Sequence, residues 1–298
     1  MENIAYLVTF GAEADPKWGD DDHVQVFFFV IPEEVKDMIY IRIYDPETGG
    51  SLDQLNGVFN TQTRFTVYGG IGAHSEPDAR KTDPVGRYRS GVQLAQKTFG
   101  SQGEYDNSWY SFGPFNPVEG EYSEQFKGYV FKLIAEGISG DDGNLYKYYL
   151  STGENINRPV EGGNGFTYEY SFRLRSGIGE KAHLYPFIDE EVSAIKQYNF
   201  DFDKDGSIKL FSVAKNGHLA AGSADNDWAV SMHKVVESER GKSYDLQIIK
   251  PKDKSFDNDM VMYVVNEYDE AIPFFASPIG GPPKYNYVVK VKLFYLEK

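Results

Sequence analysis

Apolar and polar side chains alternate with a period of two through most of the chain. The clearest runs lie at 24–30, 38–44, 63–68, 167–174 and 287–294. Gly, Asp and Asn separate the runs, as at 141–144 and 203–206, which is typical of hairpin turns. Only 86–99 and 190–196 leave room for short helical turns, and neither keeps a helical period. The pattern predicts an all-β protein, built as an antiparallel β-sandwich or barrel.

Two parts of the sequence are divergent copies of each other. Residues 31–35 read IPEEV and residues 188–192 read IDEEV, and an alternating strand and an acidic Gly turn follow each. Farther on, 129–134 aligns with 244–249. A repeat of this length indicates one fold made twice. We therefore expect two tandem antiparallel β-sandwich (jelly-roll-like) domains related by internal duplication, over 1–177 and 178–298.

The first copy is longer than the second. The offset between matching residues falls from 157 at Ile31 and Ile188 to 115 at Tyr129 and Tyr244, so the first copy has 42 extra residues. We assign them to an insertion at about 74–122, because this segment has no evident counterpart in the second copy.

This insertion is predicted to hold the binding site, since loops on a rigid scaffold commonly carry binding groups. The candidate residues are cationic or aromatic: Arg80, Arg87, Tyr88, Arg89, Tyr105, Trp109 and Tyr110. Aromatic rings stack on the C–H faces of sugars, and Arg binds carboxylates bidentately, so a glycan or an acidic peptide is the expected ligand. The alternative is that the aromatic residues only cover a sheet edge or the seam between domains.

Charge and composition narrow the partners. The net charge of −15 disfavours binding to nucleic acid and to anionic membranes. The chain has no cysteine, which excludes disulfides and thiol chemistry. No apolar run has the length of a membrane span, so no membrane insertion is expected. Strand-like residues follow Met1 directly, as in a chain whose signal peptide was removed, and we expect a secreted, periplasmic or cell-surface protein.

Acidic turns suggest a Ca²⁺ site. Residues 201–208 read DFDKDGSI, which resembles the start of a calcium loop, but Ser212 stands where an EF-hand has its bidentate carboxylate. A looser Ca²⁺ site in a β-turn is therefore the prediction, with a plain acidic hairpin as the alternative. The candidate ligands are Asp201, Asp203, Asp205, Asp225 and Asp227. Three other acidic clusters, at 20–23, 225–227 and 257–259, invite the same interpretation.

Catalytic motifs are missing from the sequence. None of the five histidines has a paired zinc spacing, and no nucleophile elbow, P-loop or dinucleotide fingerprint occurs. The Glu33-Glu34 pair recurs as Glu190-Glu191 before a strand in both copies, which favours a shared turn over a glycosidase pair. We expect a protein that is not an enzyme.

Each copy resembles, in outline, the bacterial secreted β-sandwich modules of the prepeptidase C-terminal type. In the first copy the matching segments are 29–32, 45–52, 128–133 and 140–150, and in the second they are 187–188, 203–208, 241–248 and 257–265. The resemblance implies a non-catalytic accessory module of a secreted or cell-surface bacterial protein, with no catalytic residues to transfer.

Three functions follow as hypotheses. The first is a non-catalytic extracytoplasmic binding or adhesion module for a carbohydrate or a protein at the cell surface, with Ca²⁺ stiffening the acidic turns. The second is a structural or assembly subunit of a cell-surface complex. The third is a secreted hydrolase, which would need a metal or two carboxylates facing each other across a cleft.

Overall fold

The computed structural model describes residues 4–174, 181–250 and 257–281. Strands dominate these residues. The first half of the molecule contains β1 (Tyr6–Phe10), β2 (Val24–Pro32), β3 (Ile39–Tyr44), β4 (Gln62–Gly69), β5 (Val92–Phe99), β6 (Trp109–Phe115), β7 (Glu121–Ser123), β8 (Gly128–Ser139), β9 (Gly143–Ser151) and β10 (Asn164–Thr167). The second half contains β11 (Glu169–Leu174), β12 (Lys181–Ile188), β13 (Ala194–Phe200), β14 (Ser207–Phe211), β15 (Asn216–Ala220), β16 (Trp228–Lys234), β17 (Lys242–Ser243), β18 (Asp245–Ile249), β19 (Asn258–Asn266) and β20 (Phe274–Phe275). Short 3₁₀ helices lie at Pro77–Arg80, Pro117–Glu119 and Glu237–Glu239.

The strands form two large antiparallel sheets that pack face to face, which confirms the predicted all-β sandwich class. The smaller sheet, called sheet A, has eight strands in the order β16-β13-β19-β11-β1-β9-β3-β6. The larger, sheet B, has twelve; ten run in the order β15-β14-β18-β12-β20-β10-β2-β8-β4-β5, while β7 pairs with β8 and β17 with β12.

Both strand orders are palindromic with respect to the repeat. Counted outward from the centre of each sheet, equivalent strands of the two halves occur in the same order. In sheet A, for example, β9-β3-β6 on one side matches β19-β13-β16 on the other. The seam is the antiparallel pair β1 and β11 in sheet A, and the antiparallel pair β10 and β20 in sheet B. The internal duplication is thus expressed as a pseudo-twofold arrangement in which the halves share both sheets.

The predicted alternation explains where the cores lie. On β2, Phe27, Phe29 and Ile31 face the main core between the sheets, which takes residues from both halves. The intervening Val26 and Phe28 face the other way, into a second cluster on the outer side of sheet B. Residues of both clusters are almost inaccessible to solvent, so β2 is buried on both faces, as its nearly continuous apolar run predicts.

The extra residues of the first half lie partly within the predicted insertion and partly before it. The segment 70–91 joins β4 to β5, whereas only 212–215 joins the equivalent β14 to β15. The loop 45–61 is likewise longer than 201–206. However, β5 and β6 have counterparts in β15 and β16, so the predicted insertion at 74–122 also includes strands of the shared scaffold.

Some elements and boundaries in the structure differ from those that the sequence predicts. The expected helical turn at 86–99 is mostly strand β5, because non-local pairing with β4 decides its conformation. The alternating run 167–174 breaks at Tyr168, where the chain passes from sheet B to sheet A. The run 287–294 and the proposed boundary at 177 lie outside the described residues, so the division into 1–177 and 178–298 stays a prediction. Among the described residues, no helix is long and apolar enough to span a membrane.

Candidate functional site

An open groove of about 730 Å³ lies between the two halves. One wall comes from the 70–91 segment, including Arg80 and Asp83, together with Phe126. The opposite wall comes from the second half, with Phe187 on β12, the last two residues of β19 and residues 269–273 after it. A groove of this volume at an interface of structural units is a common setting for ligand binding.

Arg80 is the predicted binding residue that lines this groove. Its side chain is half-buried, and its Nε is shielded from solvent without a hydrogen-bond partner. Within the described ranges it forms no ion pair, whereas Arg87 and Arg89 in the same segment each do. Burial raises the pKa of the neighbouring Tyr168 to about 12, and both the positive charge of Arg80 and a hydrogen bond from its side chain oppose this rise. Arg80 therefore keeps one donor, its Nε, without a partner beside an aromatic ring.

The other cations of the segment are used to hold it on sheet B. Buried Glu136 accepts hydrogen bonds from Arg89 and from the Tyr88 hydroxyl, the latter at 3.0 Å. Burial alone would raise the pKa of Glu136, but the hydrogen bonds from Arg89 and Arg64 bring it below its usual value. Buried Lys132 donates to the Tyr88 carbonyl oxygen at 2.6 Å. These contacts indicate a structural role for Tyr88 and Arg89.

Arg87 lies outside this buried network. Its guanidinium is largely exposed and lies 3.7 Å from the Glu76 carboxylate. The backbone N–H of Arg87 donates to Asp78, which fixes the turn rather than the side chain.

Three of the predicted aromatic residues lie outside the 70–91 segment that carries Arg80. Tyr105 and Tyr110 pack edge to face against Phe99, with the Lys97 ammonium 4.3 Å from each tyrosine ring centroid, and close the core at the end of the first half. Trp109 is half-buried on β6 of sheet A, and the Arg42 guanidinium lies 5.0 Å from its ring centroid. The seven predicted ligand residues thus do not form one surface.

The predicted metal ligands partly converge. One carboxylate oxygen from each of Asp201, Asp203 and Asp225 lies within 4.8 Å of the others. Burial raises the pKa of Asp201 to about 6, opposed by a hydrogen bond from the Asn226 N–H at 2.9 Å. The remaining two candidates point elsewhere: Asp205 is buried 3.6 Å from the Lys250 ammonium, and the exposed Asp227 accepts from the Trp228 N–H.

The same turn geometry recurs in the first half. Asp45 accepts a hydrogen bond from the Asn107 N–H at 2.8 Å, as Asp201 does from Asn226. Both aspartates and both asparagines have positive φ. Burial raises the pKa of Asp45 to about 6 as well. Because this arrangement repeats with the scaffold, it is first of all a feature of the fold, and its role as a metal site stays a prediction.

Sequence reasoning missed the second wall of the groove. Phe187, Asp189 and Val192 lie in or beside the repeated IDEEV turn, which the sequence indicates is structural. These residues could be recognised as groove residues only from the strand order, which places their turn next to the seam between the halves.

Comparison with known proteins gives no matching protein family and no matching curated protein. Among solved structures, a chain from the T13 IBDV viral particle has 9% sequence identity and a TM-score of 0.22, covering 85% of this chain and 72% of that one. A chain from the T=1 Penaeus vannamei nodavirus also has 9% identity, with a TM-score of 0.19, covering 91% of this chain and 94% of that one. These scores are too low to support an argument about function, and the resemblance to prepeptidase C-terminal modules stays a prediction.

Proposed function

We propose that the protein is a non-catalytic binding module whose ligand, a glycan bearing a carboxylate, occupies the groove between the two halves. The observation that carries the proposal is Arg80, which lines this groove with a shielded Nε that lacks a hydrogen-bond partner. A buried donor without a partner costs free energy, so a bound acceptor would be stabilising.

The rest of the groove suits such a ligand. Phe126, Tyr168 and Phe187 supply aromatic surface for the C–H face of a sugar ring. Asp83, Asp189, Asp269 and Glu270 supply acceptors for sugar hydroxyls. Since the protein carries a net charge of −15, a polyanion would be repelled, and the proposal is limited to ligands with an isolated carboxylate.

The protein is also proposed to be secreted, periplasmic or at the cell surface, because acidic glycans of this kind are found at cell surfaces. The module is proposed to act by binding alone, without catalysing a reaction.

The test compares two sugars and one substitution. Calorimetric titration of the full chain with a glucuronic-acid-terminated disaccharide is expected to give binding at least about tenfold tighter than its glucose-terminated counterpart, because a charge-assisted Arg–carboxylate contact contributes about 1.5–3 kcal/mol. Arg80→Gln is expected to remove this preference.

Arg87→Gln is the matched control, because Arg87 belongs to the same segment but has an exposed guanidinium outside the groove. It should retain the preference for the acidic sugar. An Arg80→Gln protein that is folded by circular dichroism and keeps the full preference would rule out this site. That outcome would favour the alternative of a structural or assembly subunit, in which the groove binds no sugar.

A further inference from the structure

Strand β16 has an edge without the usual protection against pairing with another chain. Among the described residues, the strand orders end at β16 and β6 in sheet A and at β15 and β5 in sheet B. Bulges and prolines on such edge strands prevent pairing with a strand of another molecule. The register of β6, β5 and β15 with their neighbours is interrupted by a shift, and β6 also contains Pro114. In contrast, β16 pairs with β13 over seven residues without a shift.

The outer face of β16 is mostly apolar and exposed. Four residues share this face: Trp228, Val230, Met232 and Lys234. The intervening His233 pairs with Ile195 of the main core, so the four face away from the core. The exposed fractions of the three apolar side chains, in chain order, are 38%, 53% and 71%. A row of exposed apolar side chains on a regular edge strand is typical of a surface that another strand covers.

The Trp228 ring is held in place by aromatic neighbours on the same face. Its centroid lies 5.1 Å from that of Phe200 and 5.3 Å from that of Tyr263. Tyr263 in turn stacks on Tyr198, with the centroids 4.7 Å apart. Little side-chain freedom would therefore be lost when a partner covers Trp228, which favours association.

The equivalent strand of the first half is covered by the chain itself. β6 takes in the first half the place that β16 takes in the second. The loop 152–163 lies beside β6: the Ser111 hydroxyl donates to the Glu154 carbonyl oxygen at 2.6 Å, and Arg42 of the adjacent β3 donates to Asn157. The equivalent connection in the second half, 267–273, is shorter, and the outer face of β16 stays exposed.

The outer row of β16 is complementary to itself. Ser231 is the middle residue of the strand, so antiparallel pairing of two copies about Ser231 places position 230 opposite 232 and position 228 opposite 234. Val230 of each copy then lies opposite Met232 of the other, which forms an apolar pair. Trp228 of each copy lies opposite Lys234 of the other, which forms a cation–π pair. In this register no like charges on the outer row face each other.

We propose that two copies of the chain associate through antiparallel pairing of β16 with β16, which joins the two copies of sheet A into one continuous sheet. The contact is isologous, with a twofold axis at Ser231. Each copy carries a net charge of −15, so the copies repel each other at long range and salt should strengthen the association. This inference is independent of sugar binding in the groove.

The first test measures self-association of the full chain by analytical ultracentrifugation. In about 0.3 M salt, which screens the net charge, a reversible dimer with a dissociation constant below about 100 μM is expected. Val230→Lys is expected to weaken the dimer at least about tenfold, because an ammonium group would face Met232 of the other copy. Val92→Lys is the matched control, because Val92 lies on the edge strand β5 with an exposed fraction of 58%, and it should change the constant by less than about twofold.

Mixing two variants tests the register. Met232→Glu should weaken self-association as Val230→Lys does, because its carboxylate would face Val230 of the other copy. An equimolar mixture of the two variants should associate at least about fivefold more tightly than either alone, because the new ammonium group and the new carboxylate lie opposite each other. A variant that had only lost its fold would not show this recovery.

Crosslinking gives a distance in the dimer. The chain has no cysteine, so Met232→Cys introduces a single thiol. In the proposed register the two Cα atoms at position 232 lie about 8 Å apart, from the rise and spacing of strands, so a short bis-maleimide should link the chains. Ile71→Cys, at a 90% exposed site in the first half, measures the background from collisions.

Four results would overturn the proposal. They are a wild type that stays monomeric up to about 200 μM, a dimer that Val92→Lys weakens as much as Val230→Lys, a mixture of variants that associates no more tightly than its components, and crosslinking at position 71 as fast as at position 232.

Discussion

At the scale of single residues, burial decides more than residue type. Arg80, Arg87 and Arg89 look equivalent in the sequence, yet Arg89 neutralises a buried glutamate, Arg87 points to solvent, and Arg80 lines a groove. The sequence could predict that this segment holds cations and that Asp201, Asp203 and Asp225 are candidate metal ligands. It could not predict which cation already has a partner, because the partner Glu136 lies on a strand 47 residues away.

His74 provides a test at this scale. Its ring is buried among Phe28, Phe126 and Phe166, and burial lowers its pKa to about 4, with the charge of Arg80 adding to the shift and that of Glu121 opposing it. The unfolded chain takes up a proton near pH 6.5 and the folded chain does not until about pH 4. Stability is therefore lost as the pH falls through this window.

From pH 7 to pH 5 this group should lower the free energy of unfolding by about 2 kcal/mol. His74→Phe, which has no titrating ring, is expected to lack this component. Urea titrations of both proteins at the two pH values measure the difference, and parallel pH profiles would contradict the assignment.

At the scale of elements, apolar–polar alternation with a period of two predicted strands correctly, whereas the predicted helical turn at 86–99 was mostly strand. The runs at 24–30, 38–44 and 63–68 correspond to β2, β3 and β4 to within two residues. The alternation of apolar and polar residues is weaker in the segment 86–99 because β5 is largely exposed. Its conformation is set by pairing with β4 and not by burial of one face. A strand of this kind carries too little alternation to be recognised from sequence.

The repeated turns before β6 and β16 are expected to depend on an asparagine with positive φ. Asn107 and Asn226 have φ of 53° each, and each donates its backbone N–H to an aspartate in a distant loop, Asp45 after β3 or Asp201 after β13. Asn107→Ala is expected to cost about 1–2 kcal/mol, because a Cβ-bearing residue without a short polar side chain is disfavoured there.

Asn107→Gly should change stability by only a few tenths of a kcal/mol, since glycine adopts this conformation freely. The same pair of substitutions at Asn226 should reproduce the result in the second half. Chemical denaturation measures all four variants, and equal costs for Ala and Gly would show that backbone conformation is not the cause.

At the scale of the whole molecule, the halves share both sheets and one main core. The duplication was visible in the sequence, but side-by-side joining was not, because the seam pairs β1 with β11 and β10 with β20 across long sequence separations. Tandem copies joined by a linker would give the same repeat in the sequence.

This continuity predicts one cooperative unfolding transition. Differential scanning calorimetry should give a calorimetric enthalpy equal to the van 't Hoff enthalpy. Phe65→Ala in the first half and Leu246→Ala in the second remove fully buried side chains at a cost of about 2–5 kcal/mol, and each should lower the Tm of the whole transition. Two transitions, each shifted by only one of the substitutions, would show that the halves unfold independently.

The palindromic strand order also carries information about history. An interface in which a patch meets its own equivalent is what a symmetric homodimer makes with itself. Here that interface lies inside one chain, which is the outcome expected when a self-pairing ancestor is duplicated and fused. Among the described residues, β11 takes in the second half the place that β1 takes in the first, and the chain crosses from one sheet to the other at Tyr168. A single ancestral unit would have exposed both of the edges that are now sealed.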